Sequence, residues 1–576
     1  MKKFIAILLT LSLVFSICSV SASAAAKEEA PDLSYAVAAD LHYKPHEEAL
    51  EWFSEDPIFG YANRRAAMEN ESTLIIDEML NQCAEDDNID FLLVPGDLTN
   101  DGKMFLDDHK VVAEKFRKFE EETGKQVYVI NGNHDVGLKL GEYCETNMAA
   151  FRDVYYEFGY AEAISTTDYD LSYTADLSEK YRLIALDSCD HDKSTEDGMT
   201  DAKVQWVIDQ AKQAYADGKY PILMMHHNLL DHMPMQRVLS RNFIIRNHTQ
   251  TAEKWADAGI KLVFSGHEHC SDATSYTTAK GNVISDFATT SLTMYPLEYR
   301  YVEMSEEEIK YEAKTVDKID TDALKAMVPD YSDEQLAEMN KGLNAFAKKF
   351  LKSGVEWRLE RGFLDEQLGI SPDDIYYDMV RDVIDALNDV LNMPLYGEGS
   401  AQELGRTYGI EIPDSDYETG WDVATDLVAA HYAGCEDYPL SGRDVTILLR
   451  TVSIILKTEF ATLDDMYIFE ALTTYFAAAN GTDRFLLLEN YVLGLGYGPI
   501  SPGEYFLLAL LSPLLMSFAN DDDVDDNNGV IDGYGVNNNS ENISDNFIST
   551  LNDLVKSLLY IIKFMLKGFE TVNYFK

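Results

Sequence analysis

The histidines of this sequence are concentrated in its first half. Eleven of the twelve precede Cys270, and only His431 follows it. Imidazole is the commonest metal ligand in proteins and the side chain that titrates nearest to neutral pH. We therefore expect metal-binding or proton-transfer chemistry in the first half of the chain.

Five short motifs combine these histidines with carboxylates and an amide. They are Asp40-Leu41-His42, Gly96-Asp97, Asn131-Gly132-Asn133-His134-Asp135, His226-His227 and Gly266-His267-Glu268-His269. Residues two apart in an extended strand end point the same way, so Asp40 and His42 are expected to bind one ion together. Gly96 permits a tight turn that projects the carboxylate of Asp97. The first two motifs are weak signals alone, whereas all five in this order are a strong one.

Each motif directly follows a short apolar run that predicts a strand. These runs occupy 35–39, 91–94, 127–130, 222–225 and 262–264, and a sixth lies at 182–186. Amphipathic stretches between them, including 74–83, 111–122 and 204–215, predict helices. The alternation predicts an α/β domain, in which ligands bind beyond the carboxyl ends of the strands. The runs 300–303 and 309–314 predict a closing hairpin.

The ordered motifs DxH, GD, GNHD, H and GHxH resemble those of the calcineurin-like metallophosphoesterase superfamily, over about residues 32–316. The resemblance implies a four-layer α/β/β/α sandwich that holds two metal ions. One ion would be held by Asp40, His42, Asp97 and His269. The other would be held by Asp97, Asn133, His226 and His267, so that Asp97 bridges the two.

The same resemblance assigns the neighbouring residues. His226 is taken as the ligand rather than His227, because the family's ligand directly follows the strand. His134 resembles the family's histidine that faces the substrate without binding metal, and Asp135 stands beside it as a catalytic partner. Apart from the resemblance, Asn100 follows Asp97 closely and is expected to stabilise a turn rather than to reach the substrate.

The ligand chemistry favours hydrolysis of a phosphoric ester. Two carboxylates and five neutral ligands, with two divalent ions and a bridging hydroxide, give a core of about +1 that attracts phosphate. Mixed His, Asp and Asn ligands suit Mn, Fe or Zn, in a divalent or mixed-valence pair, better than Ca. The bridging hydroxide would attack phosphorus in line, and protonated His134 would assist the leaving oxygen. The choice between phosphomonoesters and phosphodiesters stays open, because flanking loops decide it.

A different class of function is a cell-surface binding or adhesion module in which the second half of the chain does the work. The intact ligand set argues against it, because a site that no longer served catalysis would lose ligands without cost. Composition adds one exclusion: 100 Asp and Glu against 47 Lys and Arg give a net charge of −53. Such a surface repels polyanions, so no nucleic acid polymer is expected as a partner. A small phosphorylated substrate is compatible with a locally positive metal centre.

The N-terminus predicts export. Lys2 and Lys3 precede an apolar stretch at 4–20 and small residues at 21–26, which together indicate a signal peptide over 1–26 and a secreted or cell-envelope location. The five remaining cysteines include no CxxC pair, so neither a disulfide framework nor a thiolate metal site is expected.

The rest of the chain divides by composition. We assign 27–318 to the catalytic domain and 319–519 to a separate all-α domain of unknown role, since apolar residues recur there at three- and four-residue spacing. Residues 520–546 are acidic and Asn-rich and predict a flexible linker. A calcium loop at 520–535 fits poorly, because Val524 and Gly535 would stand at liganding positions.

Three further expectations concern surfaces. Residues 547–576 predict an amphipathic helix with Lys556, Lys563 and Lys567 on one face. Docking on the acidic body of the protein is favoured over weak contact with an anionic membrane or the envelope. His109 and His248 lie in polar helical stretches and are expected at the surface. The aromatic-rich stretch 43–68 is either a wall over the site or a plain insertion. The oligomeric state stays undecided.

Overall fold

The computed structural model describes residues 31–45, 66–137, 144–191, 197–233, 236, 242–357, 377–436, 438, 442–458 and 526–536. The signal peptide expected at 1–26 and the amphipathic helix expected at 547–576 lie outside the described residues. So do 46–65, which include most of the aromatic-rich stretch, and 459–519 of the helical region.

The described residues form thirteen strands. They are β1 (Leu33–Val37), β2 (Phe91–Pro95), β3 (Gln126–Ile130), β4 (Ser165–Thr166), β5 (Tyr173–Asp176), β6 (Tyr181–Leu186), β7 (Tyr220–Met225), β8 (Leu262–Ser265), β9 (Asp272–Thr277), β10 (Val283–Ala288), β11 (Glu298–Met304), β12 (Glu308–Thr315) and β13 (Asn528–Asp532). The six predicted runs and the closing hairpin of β11 and β12 are thereby confirmed.

Twelve α-helices, and a short π-helical segment at Tyr156–Tyr160, accompany these strands in the same part of the chain. The α-helices follow in chain order. They are α1 (Ser72–Glu85), α2 (Leu106–Thr123), α3 (Met148–Val154), α4 (Asp201–Ala216), α5 (His248–Asp257), α6 (Thr321–Met327), α7 (Asp333–Met339), α8 (Leu343–Trp357), α9 (Tyr377–Asn392), α10 (Ala401–Thr407), α11 (Gly420–Tyr432) and α12 (Arg443–Thr458). Side-chain caps fix several of the starts, as sequence rules expect. Ser332 with Gln335, and Thr419 with Asp422, form capping boxes at α7 and α11.

The strands form two sheets. The first has the order β13-β12-β11-β1-β2-β3, and the second has the order β4-β5-β6-β7-β8-β10-β9. β1, β2 and β3 run parallel, as do β6, β7, β8 and β10, while the remaining pairs at the sides of the two sheets are antiparallel. The parallel strands at the middle are almost wholly buried, which explains why they read as continuous apolar runs.

The sheets and helices stack in four layers. Along β7, Ile222 and Met224 face the first sheet, whereas Leu223 and Met225 pack with Trp255 of α5 in a second hydrophobic cluster. This two-residue alternation is that of a strand covered on both faces. α1 and α2 contribute to the hydrophobic cluster of the first sheet, and α4 and α5 cover the second. The predicted four-layer α/β/β/α sandwich is confirmed.

The described residues of 321–458 are mainly helical, as predicted, but the first part of this region is not set apart from the sandwich. Leu324, Tyr331, Leu343 and Phe346, from 321–346, belong to the same hydrophobic cluster as the first sheet. Further helices pack on one another, with α11 against α8 and α12 against α9 and α11. The boundary expected at 318/319 therefore marks a change of secondary structure and not a gap in packing.

The expectation of a flexible linker over 520–546 is wrong for 526–536. Residues of β13 pair antiparallel with β12, with Ile531 opposite Ile309. Tyr534 is buried and its hydroxyl donates to the carbonyl of Pro221. The acidic, Asn-rich composition did not indicate a strand. An edge strand needs only alternate residues to pack, so its polar residues can face water. Residues 528–532 of the calcium loop considered at 520–535 lie in this strand, and 520–525 lie outside the described residues.

Among the described residues, no helix has the length and apolar character needed to cross a membrane.

Candidate metal centre

The five motifs meet at the carboxyl ends of β1, β2, β3, β7 and β8, as their sequence positions predict. The way they converge differs from our expectation. Asp40 and His42 have φ of 49° and 42°, and Asp97, His267 and His269 have φ of 49°, 69° and 65°. The Asp40 motif is thus a left-handed turn and not an extended strand end. Such backbone costs of order 1–3 kcal/mol per residue and is typical of functional sites.

Short links hold the ligand loops together. The amides of Asp40 and His42 donate to the carbonyls of Gly96 and Asp97 (3.2 and 3.0 Å), and the amide of Gly266 donates to the carbonyl of His226 (3.0 Å). A Cβ atom on Gly266 would collide with the carboxylate of Asp40. Glycine is therefore required there by the close approach of the two loops.

The first ligand group, here called the Asp40 group, contains Asp40, His42, Asp97 and His269. Nε2 of His269 lies 3.3 Å from Oδ1 of Asp40 and 3.1 Å from Nε2 of His42. Nε2 of His42 lies 3.8 Å from Oδ2 of Asp97. The four ligand atoms are all within 4.8 Å of one another, which suits a single ion.

The second ligand group, here called the His226 group, contains Asp97, Asn133, His226 and His267. Nε2 of His226 lies 2.9 Å from Oδ1 of Asn133, 3.0 Å from Nδ1 of His267 and 3.4 Å from Oδ2 of Asp97. The same Oδ2 atom of Asp97 thus faces both groups. The structure brings all seven sequence-predicted ligands together in the predicted division.

Two buried oxygens show that this cluster fits a cation. Oδ1 of Asp40 and Oδ2 of Asp97 accept no hydrogen bond from any described residue. A buried carboxylate oxygen in that state is costly unless a cation compensates it. The other oxygen of each carboxylate accepts a backbone amide, from His267 to Asp40 (2.9 Å) and from His134 to Asp97 (2.7 Å). One oxygen orients each side chain and the other is left for a metal.

The electrostatics agree with an anionic centre surrounded by imidazoles. Burial alone would raise the pKa of Asp97, but the charges of His226, His134 and His42 hold it well below its ordinary value. Burial opposes protonation of His226, yet the neighbouring Asp97 raises its pKa to about 9. A divalent cation would take the place of these protons, because it binds carboxylate and neutral imidazole together.

His134 occupies the open side of the centre. Its Nδ1 donates to the carbonyl of Asn100 (2.6 Å), and its Nε2 lies 4.0 Å from Oδ2 of Asp97. Its side chain is 25% exposed, against 17% for His269 and 2% for His42. The side chain of Asn100 donates to Asp101 (2.9 Å), which agrees with the expected turn-stabilising role.

Asp135 is fully buried between two ligand loops. Its carboxylate accepts hydrogen bonds from the amides of Gly132, Thr99 and Leu98 (2.7, 3.2 and 3.3 Å). Burial and the charge of Asp97 raise its pKa to about 7. The geometry makes Asp135 a link between the Asp97 and Asn133 loops. Its role as the catalytic partner of His134 stays a prediction.

The expectation that His109 and His248 lie at the surface is wrong. His109 is fully buried on α2, where its Nε2 donates to the carbonyl of Asp135 (3.0 Å) and its Nδ1 lies 3.0 Å from the Tyr155 hydroxyl. Burial lowers its pKa to about 4. His248 is only 9% exposed. The partners of His109 are far away in the sequence, so its polar helical neighbours gave no signal of burial.

Sequence reasoning also missed the loop after β10. The hydroxyl of Thr290 donates to the carbonyl of His269 (2.8 Å), and that of Ser291 donates to the carbonyl of Asp40 (2.9 Å). The sulfur of Met294 accepts a hydrogen bond from Nδ1 of His269 (3.0 Å). Four hydroxyl residues among the five at 289–293, directly after a strand, were the signal available.

The fold and site are those of a metal-dependent phosphoesterase. Residues 33–271 match the sequence model of the calcineurin-like phosphoesterase family. This part of the chain is a calcineurin-like phosphoesterase domain, and the protein is a hydrolase that acts on phosphoester bonds. No curated protein matches the chain.

Several solved structures resemble the chain at low identity. A dimetal phosphatase from Danio rerio is 10% identical, with a TM-score of 0.35 over 50% of this chain and 96% of that chain. PhoD is 11% identical, with a TM-score of 0.33 over 49% of this chain and 65% of that one. An NAD nucleotidase from Haemophilus influenzae is 9% identical, with a TM-score of 0.26 over 55% and 60%.

Proposed function

We propose that this protein is a dinuclear-metal phosphoric ester hydrolase that acts on a small phosphorylated substrate. The observation that carries the proposal is the shared Oδ2 atom of Asp97, which faces both ligand groups at 3.8 and 3.4 Å from their histidines. Asp97 would be a ligand of both ions if each ligand group held one. Mn, Fe and Zn are the metals that this ligand set suits.

Two ions at this centre would activate water near neutral pH and neutralise charge on the phosphoryl oxygens. The protein's own residues do the rest. The amides of His267 and His134 fix the two carboxylates, so that the ligand oxygens do not rotate away. Asp135 ties together the loops that carry Asp97 and Asn133. The centre is therefore held in place before a substrate arrives, which is how such sites stabilise a transition state.

His134 supplies the proton. The carbonyl of Asn100 binds Nδ1 and orients the ring, while Nε2 is on the side of Asp97 and the side chain reaches solvent. A protonated Nε2 donates to the leaving oxygen as the ester bond breaks, which is general acid catalysis.

The location belongs to the same proposal. The basic start, apolar stretch and small residues of 1–26 support export, so the substrate would be met outside the cytoplasm. Cell fractionation with an antibody to the chain tests this, and a product that keeps residues 1–26 inside the cell would contradict it.

A paired assay tests the activity. The chelated protein is reconstituted with Mn, Fe or Zn and offered p-nitrophenyl phosphate and bis-p-nitrophenyl phosphate. We expect turnover of at least one ester that chelation abolishes and metal restores. The ratio between the esters assigns the monoester or diester class. Silence on both esters with every metal would contradict the proposal and favour a binding module.

A further inference from the structure

The two ligand groups hold their histidines by different means. In the His226 group, Nδ1 of His226 donates to the backbone carbonyl of Pro95 (3.0 Å), at the end of β2. In the Asp40 group, Nδ1 of His269 donates to the thioether sulfur of Met294 (3.0 Å). Metal-binding histidines usually donate to a carboxylate, a backbone carbonyl or water. A thioether sulfur is a weaker acceptor than a carbonyl oxygen, so this hydrogen bond depends more on where the sulfur lies.

The contact with Met294 sets which nitrogen of His269 faces the centre. A neutral imidazole carries one proton, so donation from Nδ1 leaves the lone pair on Nε2. That Nε2 atom is the one 3.3 Å from Oδ1 of Asp40. If Met294 moved, the ring of His269 would lose the interaction that fixes its tautomer and its rotation.

Helices of the C-terminal region confine Met294. Its side chain is 2% exposed and packs in a small cluster with Ala66, Ala67, Leu351 of α8 and Ala429 of α11. Methionine has three rotatable bonds and adapts to its surroundings, so the surrounding side chains decide where the sulfur lies. Leu351 and Ala429 are the two buried contributions from the helical region, and the partly buried Val355, Val428 and Tyr432 of the same helices pack against the cluster.

The same helical region also holds the backbone that follows His269. The amide of Ser271 donates to the carbonyl of Tyr432, the last residue of α11 (3.1 Å). The hydroxyl of Ser271 contacts Asn527, whose amide nitrogen donates to the carbonyls of Ala433 and Gly434 (2.6 and 3.0 Å). The ring and the backbone of the His269 loop are thus both secured from the helical side.

We propose that Met294, confined by Leu351 and Ala429, is the positioning residue for His269, and that support of the Asp40 group is a function of the helical region. This inference rests on the proposed two-metal centre. It predicts that the helical region controls the affinity of one metal position and leaves the other unaffected.

The test replaces the sulfur with a carbon of similar volume. Met294→Leu keeps the packing but removes the acceptor. Met304→Leu is the matched control, because Met304 is fully buried and its sulfur also accepts a hydrogen bond, from the Tyr35 hydroxyl (3.1 Å). The chelated proteins are titrated with Mn²⁺, and free Mn²⁺ is followed by electron paramagnetic resonance. We expect Met294→Leu to weaken one of two sites by about 10- to 100-fold, as loss of a ligand's hydrogen-bond partner does. Met304→Leu should leave both sites unchanged.

Rescue separates orientation from packing. Met294→Gln restores an acceptor at similar reach and should recover much of the lost affinity. Two sites of unchanged affinity in Met294→Leu, or an equal loss in Met304→Leu, would overturn the proposal while leaving the two-metal centre intact. A wild-type protein that binds no Mn²⁺ would overturn the proposed function, and this proposal with it.

A second variant tests the helical contribution. Leu351→Ala opens space beside Met294, and Ile447→Ala opens similar space at a buried position on α12 outside that cluster. Both should lower the melting temperature, but only Leu351→Ala should weaken the site that Met294→Leu weakens. The double variant Met294→Leu with Leu351→Ala should lose no more affinity than Met294→Leu alone, because both act through the sulfur. Equal affinities in Leu351→Ala and Ile447→Ala would contradict the role of the helical region.

Discussion

The Asp40 group and the His226 group share one carboxylate but differ in what supports them. The His226 group is enclosed by the sandwich itself: His226, His267 and Asn133 are at most 4% exposed, and a strand carbonyl fixes the His226 ring. The Asp40 group lies nearer the surface, with His269 at 17% exposure, and depends on the loop after β10 and on helices beyond the catalytic domain. The two ligand groups are therefore similar in composition but differ in support. The sandwich alone holds the His226 group, whereas helices of the C-terminal region also hold the Asp40 group.

The largest effect is expected where the two groups meet. Asp97→Ala removes the oxygen that faces both groups, so turnover should fall to the background rate and metal content should drop at both positions. Inductively coupled plasma mass spectrometry and the p-nitrophenyl assays measure this. Asp107→Ala is the matched control, since its side chain is 88% exposed, and it should behave as wild type. Retained turnover in Asp97→Ala would contradict the role of Asp97 as the carboxylate that the two ligand groups share.

The next effect separates chemistry from metal binding. His134→Ala should keep both metals, because the ring is on the open side of the centre, while kcat falls by about 10²- to 10⁴-fold as general acid catalysis is lost. A substrate with a more acidic leaving group should suffer less. Loss of metal in this variant, or full activity, would show that His134 has another role.

The two groups should also differ in how easily they release metal. Because the Asp40 group is the more exposed and the more remotely supported, mild chelation should remove its ion first. The enzyme would then pass through a form with one ion per chain. Metal content plotted against chelator concentration should fall in two steps. In Met294→Leu, only the first step should move to a lower chelator concentration. A single step in both proteins would contradict the difference between the groups.

The smallest effect concerns the docking of helices away from the metals. Glu71 is fully buried and accepts a hydrogen bond from the Tyr331 hydroxyl of the helical region; Glu69 is close by. Burial raises the pKa of Glu71 from 4.5 to about 8. The folded protein therefore holds a proton that the unfolded chain releases, and folding stability is lost as pH rises from about 4.5 to 8.

Glu71→Gln tests this because it removes the ionisation. In the wild type, Glu71 makes the free energy of unfolding fall by up to about 1.4 kcal/mol per pH unit over this range, and the variant should lack that contribution. The variant should therefore become more stable relative to wild type as pH rises toward 8. Urea unfolding across the pH range measures it, and metal content should not change. A parallel pH dependence in the two proteins would show that Glu71 is not protonated when folded.

The sequence predicted which seven side chains converge and the strands that carry them, because each motif and each apolar run is a local pattern. The strands β1, β2, β3, β7 and β8 are buried on both faces and leave continuous apolar runs in the sequence. The seven residues at the ends of these strands could be identified from their own motifs, without knowledge of distant contacts.

What the sequence did not predict depends on distant partners. β13 is a strand because β12 offers an open edge more than 200 residues earlier, and nothing in its Asn-rich composition indicates that. His109 is buried because Asp135 and Tyr155 close over it. Met294 supports His269 only because two helices beyond the catalytic domain meet it. The left-handed turns at the ligand motifs likewise follow from contacts between loops and not from local propensity.

In the proposed centre, one oxygen of Asp97 connects two metal positions. The most direct measurement is electron paramagnetic resonance of the wild-type protein loaded with Mn²⁺ to saturation. We expect two ions per chain and a spectrum of exchange-coupled ions, because a shared carboxylate couples them. One ion per chain, or two ions with the spectrum of isolated Mn²⁺, would contradict it.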